Sequence, residues 1–348
     1  MAGFVAFVLL LAVAAYACGG GTDYGAGFWD LAAGGPERGK RPRWLIDHAM
    51  APVWEVNNVW LIFVLVLMWT GFPVMFQTVF TALWLPLALA ALGMVLRGAG
   101  FALRKPARRL ARRRLYGTVF AVSSLLTPFF LGAAAGAVAT GRIAPGVEAS
   151  ADAWANHASL AFGLLTVAAT ALLGAVFLTA DAARFDAPDL VGYFRLRALA
   201  ALVAAALAAV WVLVVTRGDS PHVWHGLTHG VGLALAVVSL VCFAATGLFV
   251  VRLRTHPARF GAVGTVVAAV LAWGFAQRPY LIPTSLSVAE AAGDSETLVW
   301  LTVVSLVSLL LVAPAVFFLY WLDTHGELEP LTDSDLRRTG PATGDESP

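Results

Sequence analysis

The densest polar cluster in an otherwise apolar sequence is IDHAMAPVWEVNNVW, where Glu55, Asn57 and Asn58 open a long apolar run between Trp54 and Trp60. Pro52 suits a first helical turn. A carboxylate there can do one of two things. It can sit at the positive end of a helix dipole, with the tryptophans at headgroup depth, or it can take up protons at the mouth of a path through lipid. A second carboxylate, Asp23, lies in the Gly-rich AYACGGGTDYGAG that follows the first apolar run. That run, 3–18, rises only about 24 Å as a helix. The helix is therefore expected to continue through the glycines and carry Asp23 to the cytoplasmic edge of the membrane. Asp23 and Glu55 would then form a carboxylate pair on adjacent helices, with Asn57 beside it, able to pass protons.

Histidines are the other chemistry-bearing residues. His157 opens one apolar run, and His222, His225 and His229 cluster before another. The HxxHxxxH spacing would put three imidazoles on one helical face, and His157, His225 and His229 are the weak alternative for a metal or haem site. Pro221 and the preceding Arg217, Gly218, Asp219 and Ser220 favour a solvated loop instead. His48, His256 and His325 are read as interfacial. Cys18 and Cys242 both fall inside apolar runs, which supports neither a disulfide framework nor a cysteine metal site.

The elements that position these groups follow from composition. The 348 residues are 59% hydrophobic and 13% charged, with a mean hydropathy of +0.79, so the solvent is lipid. Apolar runs near 3–18, 54–73, 77–96, 116–139, 158–180, 195–216, 226–251, 260–276 and 298–322 predict an all-α membrane protein of nine transmembrane helices. Residues 1–322 read as one polytopic domain, and 323–348 as a disordered acidic tail. If nine helices alternate, all but Arg142, Arg217 and Arg278 of the 23 Lys and Arg residues fall on one side. That asymmetry predicts an outer N-terminus and a cytoplasmic C-terminus. The net charge of +2 implies no nucleic acid, and the run RKPARRLARRR meets anionic headgroups.

No P-loop, dinucleotide fingerprint, HExxH or nucleophile elbow stands in a usable context. The segment WGFAQRPYLIPTSLSVAEAAGDSETL contains Gln277, Tyr280 and two helix-breaking prolines, and reads locally as a helix end and a turn.

Four ordered stretches resemble subunit II of the cytochrome bd-type quinol oxidases. AYACGGGTDYGAG is similar to the pattern YxxLDGFDLGVG, keeping the second acid as Asp23 with Gly20 at the first. APVWEVNNVW resembles IAPVWDGNxVW, with Trp54 and Trp60 retained, Glu55 at the acid and Asn57 at the amide. LPLALAALGMVLRGAGFALR keeps Arg97, while Ala102 stands where an acid is usual. Trp273 to Leu298 resembles WGxAQxPYLxPxxLTxxxAAxxxxTL, with Gln277 and Tyr280 kept and Arg278 at a position often aromatic.

The resemblance implies two four-helix bundles plus one peripheral helix in a bacterial cytoplasmic membrane. It implies a non-haem subunit, with no catalytic residue or cofactor of its own, in a heterodimer with a subunit I that holds haems b and d and oxidises quinol. It leaves open a small third subunit. The changes at Gly20, Glu55 and Ala102 make a structural partner of a divergent complex with another redox task the alternative. A transporter is a further one, though no inverted repeat is visible.

Overall fold

The computed structural model describes residues 1–35, 38–49, 53–104 and 110–324. Among the described residues thirteen α-helices run in chain order: α1 (Ala2–Leu31), α2 (Lys40–Ala49), α3 (Val53–Gly71), α4 (Pro73–Ala82), α5 (Trp84–Arg104), α6 (Leu110–Ala139), α7 (His157–Arg184), α8 (Pro188–Asp219), α9 (Pro221–Thr228), α10 (Gly230–Val251), α11 (Thr255–Gln277), α12 (Val288–Ala291) and α13 (Ser295–Thr324). Between α11 and α12, strands β1 (Tyr280–Ile282) and β2 (Leu286–Ser287) pair antiparallel.

Seven helices among the described residues are long and apolar enough to cross a bilayer. The pair α3 and α4, bent by 116°, makes an eighth if counted as one span, and the apolar stretch Ser295–Leu311 of α13 is shorter. The all-α membrane class is as the hydropathy predicts. The count of nine stands as a proposal in which α3 and α13 each cross once. Two expected runs are divided. The run 77–96 breaks at Leu83, because Phe72 and Pro73 start the short helix α4, which ends there. The run 226–251 breaks at His229, whose extended backbone caps α10. The tail beyond residue 324 lies outside the described residues.

Helix α1 organises the unit Met1–Leu298, packing against α3, α6, α7 and α11. Successive glycines would weaken an isolated helix by roughly 1 kcal/mol each relative to alanine. Here they admit close neighbours. A Cβ at Gly25 would lie 1.9 Å from the Thr170 carbonyl oxygen, and one at Gly174 only 2.4 Å from the Gly25 carbonyl carbon. Small residues facing each other let two backbones touch, the packing that replaces hydrophobic drive in lipid. Trp29 then donates its indole N–H to the Ala171 oxygen at 2.8 Å. The end of α1 is closed by Arg43 from α2, which donates to the Asp30 carboxylate at 2.7 Å and to the Asp30 and Gly34 carbonyls. This satisfies acceptors that a helix end leaves without partners. The second unit begins at Val299 and is helical through Thr324.

Candidate functional site

An ion pair buried on both sides sits where α1, α5 and α6 meet. Asp23 and Arg97 are each 3% exposed. Arg97 donates through Nη1 to Asp23 Oδ2 and through Nη2 to Asp23 Oδ1, both at 2.8 Å, and its Nη2 also reaches the Asp23 carbonyl oxygen at 2.9 Å. Its Nε donates to Ser124 Oγ at 2.9 Å, and that hydroxyl donates to the Phe120 oxygen. The guanidinium lies between the rings of Tyr24 and Phe120, 4.9 and 4.7 Å from their centroids. A planar cation with a rigid donor fork fits such a slot as a lysine could not. Glycine makes the slot possible, since a Cβ at Gly27 would stand 2.1 Å from Ser124 Oγ.

Two hydroxyls extend this centre, with Tyr24 Oη 3.1 Å from Tyr16 Oη and Tyr16 pointing on to the Met94 sulfur. Next to them Asn57 from α3 fills a notch left by two glycines. A Cβ at Gly20 would lie 3.0 Å from Asn57 Nδ2, and one at Gly19 3.0 Å from Asn57 Oδ1. Asn57 is 3% exposed, and its Oδ1 has no hydrogen-bond partner among the described residues. The amide thus occupies space beside Gly20, the position at which the resembling pattern carries an acid.

Asp23, Asn57 and Arg97 therefore converge on one stretch of α1. Arg97 contacts Asp23; the expected pairing of Asp23 with Glu55 falls on a side chain outside the described residues, as does Trp54, while the backbone of both forms the first turn of α3. Trp60 is half-buried, its ring 6.5 Å from Phe63. Gln277 is buried at the end of α11 and donates to the Trp273 oxygen. Tyr280 opens β1 and meets the His222 ring edge-on at 5.2 Å. Sequence reasoning missed Arg97 as a partner, treating it as a motif position only. The signal was present, because a lone arginine in LGMVLRGAG must find a counter-ion in lipid.

Two of the three clustered histidines stand in a helix where a loop was expected, and the third in the bend that follows. Helix α8 runs through Asp219, and Pro221 starts α9 at its first position, where a missing N–H costs nothing. His222 and His225 are thus helical, and His229 caps α10. His157 lies apart from them, lining a different cavity with Trp154 and Phe129. Among the described residues no group of three His, Cys, Asp or Glu side chains is placed to hold a metal ion.

A bundle of apolar helices closed around an arginine–aspartate pair is a polytopic membrane protein with a built polar interior. The profile of the family described as "Cytochrome bd terminal oxidase subunit II" matches residues 1–323, and the chain belongs to that family. It is 24% identical over 258 residues to "Cytochrome bd ubiquinol oxidase subunit 2" of Bacillus subtilis, covering 71% of each chain. Its identity to "Cytochrome bd-I ubiquinol oxidase subunit 2" of Escherichia coli K12 is 25% over 213 residues, covering 56% of this chain and 52% of that one. In fold it is similar to a chain of the bd oxidase of Geobacillus thermodenitrificans, with a TM-score of 0.75 at 24% identity over 92% of this chain and 98% of that one. This is a bacterial membrane protein whose relatives are subunits of an oxidoreductase complex.

Proposed function

We propose that this chain is the non-haem subunit II of a cytochrome bd-type quinol:oxygen oxidoreductase. It packs against a haem-bearing subunit I in a heterodimer, with haems b and d in that partner and quinol as the electron donor, and is not itself catalytic. Its second task is to bring protons from the cytoplasmic side, with the N-terminus outside and the C-terminus inside. The observation that supports this reading is the buried Asp23–Arg97 pair with Asn57 beside it, in a chain matched over residues 1–323 by the subunit II family. Reducing oxygen to water consumes protons, and carboxylates within membrane-spanning sequence mark routes for them. In this reading Glu55 takes up the proton. The ion pair keeps the interior charge compensated, and Asn57 Oδ1 offers an acceptor along the way.

Glu55 is the residue to test. Glu55→Gln keeps shape and hydrogen bonding but cannot titrate, while Glu55→Asp still titrates and has the side-chain length of the resembling pattern. Oxygen consumption by the assembled complex should fall strongly in the Gln variant and largely survive in the Asp variant, with assembly intact in both. Normal turnover in the Gln variant, or loss only through failed assembly, would make Glu55 structural.

A further inference from the structure

The histidine cluster that the oxidase reading leaves unused lies in a cleft of about 340 Å³ at one end of the helix bundle. The cleft is where α9 passes between the start of α10 and the end of α11. It is walled by His222, His225, His229 and Arg278 and floored by Phe275 and Val231. Close backbone packing holds it in shape. A Cβ at Gly226 would lie 2.3 Å from the Ala276 oxygen, and one at Gly232 only 2.1 Å from the Gly226 oxygen.

The polar side chains around the cleft are one arginine and three histidines. Arg278 lies 5.5 Å from the Phe275 ring and has no carboxylate partner among the described residues. Arg142, by contrast, is paired with Asp219. His229 Nδ1 is within 3.1 Å of the His225 oxygen, and His222 Nε2 within 3.2 Å of the Gln277 and Arg278 oxygens. His229 Nδ1 also lies 3.0 Å from the Thr228 hydroxyl; in the tautomer in which that hydroxyl donates to Nδ1, His229 Nε2 carries the proton and can donate to an anion, since a neutral ring donates from one nitrogen only. His225 stacks on His229 with ring centroids 4.2 Å apart. Helix α10 begins here without a side-chain cap, so its first N–H groups add to the positive field.

We propose that this cleft binds a phosphodiester anion, the headgroup of an acidic phospholipid, with Arg278 as the fixed charge and His225 and His229 as donors. The place fits a lipid. α8 and α11 end and α10 begins there, which is headgroup depth for spans of this length. The floor continues onto the exposed Val231 of α10, along which an acyl chain can lie. Arginine suits the role because its fork matches phosphate oxygens. Among the described residues no acidic side chain lines the cleft.

The test uses the complex purified with its partner and reconstituted in nanodiscs of phosphatidylglycerol mixed with phosphatidylcholine, with retained lipid counted by native mass spectrometry. Wild type should keep phosphatidylglycerol. Arg278→Gln and the double variant His225→Asn/His229→Asn should each keep roughly tenfold less, the size of a lost charge-assisted hydrogen bond, while Arg278→Lys keeps an intermediate amount. Adding inorganic phosphate separates the sources. Displacement at millimolar phosphate identifies the bare anion as the ligand, and resistance to it identifies the lipid. Equal retention by all variants would overturn the site, as would zinc bound through the histidines with the lipid count unchanged. Oxygen consumption and haem content report assembly independently.

Discussion

At the residue scale, the Asp23–Arg97 pair governs what the interior can tolerate. Removing one partner of a buried pair leaves an uncompensated charge, which costs about 3–5 kcal/mol. Asp23→Asn and Arg97→Gln should therefore each lower the yield and thermal stability of the complex, and the double variant should recover part of that loss. Purification yield and thermal unfolding of the three variants measure it, and additive losses would show that the two residues act independently. Asp23, Asn57 and Arg97 were each legible as positions in the sequence, because polar residues in apolar runs stand out. Their mutual contacts were not. Arg97 is far from Asp23 in sequence, and charge counting alone offered Glu55 as an equally reasonable neighbour. Arg97 reaches Asp23 from α5, a helix that packs on α6, and such a long-range approach has no signature in the sequence. The orphan Asn57 oxygen was also beyond reading, since it depends on Gly19 and Gly20 leaving the notch that the amide fills.

At the element scale, hydropathy identified the long apolar helices because twenty consecutive apolar residues have few other fates. It could not locate breaks within apolar sequence. Leu83 ends α4 between two apolar helices without any polar marker, and Phe72 with Pro73 bends the chain by 116°. Around Pro221 the error ran the other way, since a proline at a first helical turn looks like one in a loop. Glycine contacts make a sharper prediction. Gly25→Ala should destabilise the complex by about 1–3 kcal/mol through overpacking, because its Cβ would meet the Thr170 oxygen at 1.9 Å. Gly192→Ala in α8, with nothing within 4 Å, should stabilise it by about 0.4–1 kcal/mol through lost unfolded-state freedom. Thermal unfolding of the two variants should move in opposite directions. Equal shifts would mean that α1 and α7 do not touch as closely as described.

At the scale of the whole molecule, the lipid-exposed surface is apolar, as Leu207, Val214 and Leu240 illustrate at 65% exposure or more, and the polar chemistry is turned inward. The proposed orientation rests on the placement of basic residues. A reporter fused after residue 109 should read cytoplasmic and one after Arg142 should read outside, and opposite readings would sink it. The central claim is that the chain works as a haem-free subunit beside a haem-bearing partner, and one purification addresses it. The chain is tagged, isolated from its native membrane, and its absorption spectrum is compared with that of the same chain expressed alone. The account predicts a second subunit with b- and d-type haem bands in the native preparation, and no Soret band above background for the isolated chain. A stoichiometric haem spectrum in the isolated chain, abolished by substituting His157 or His229, would contradict it.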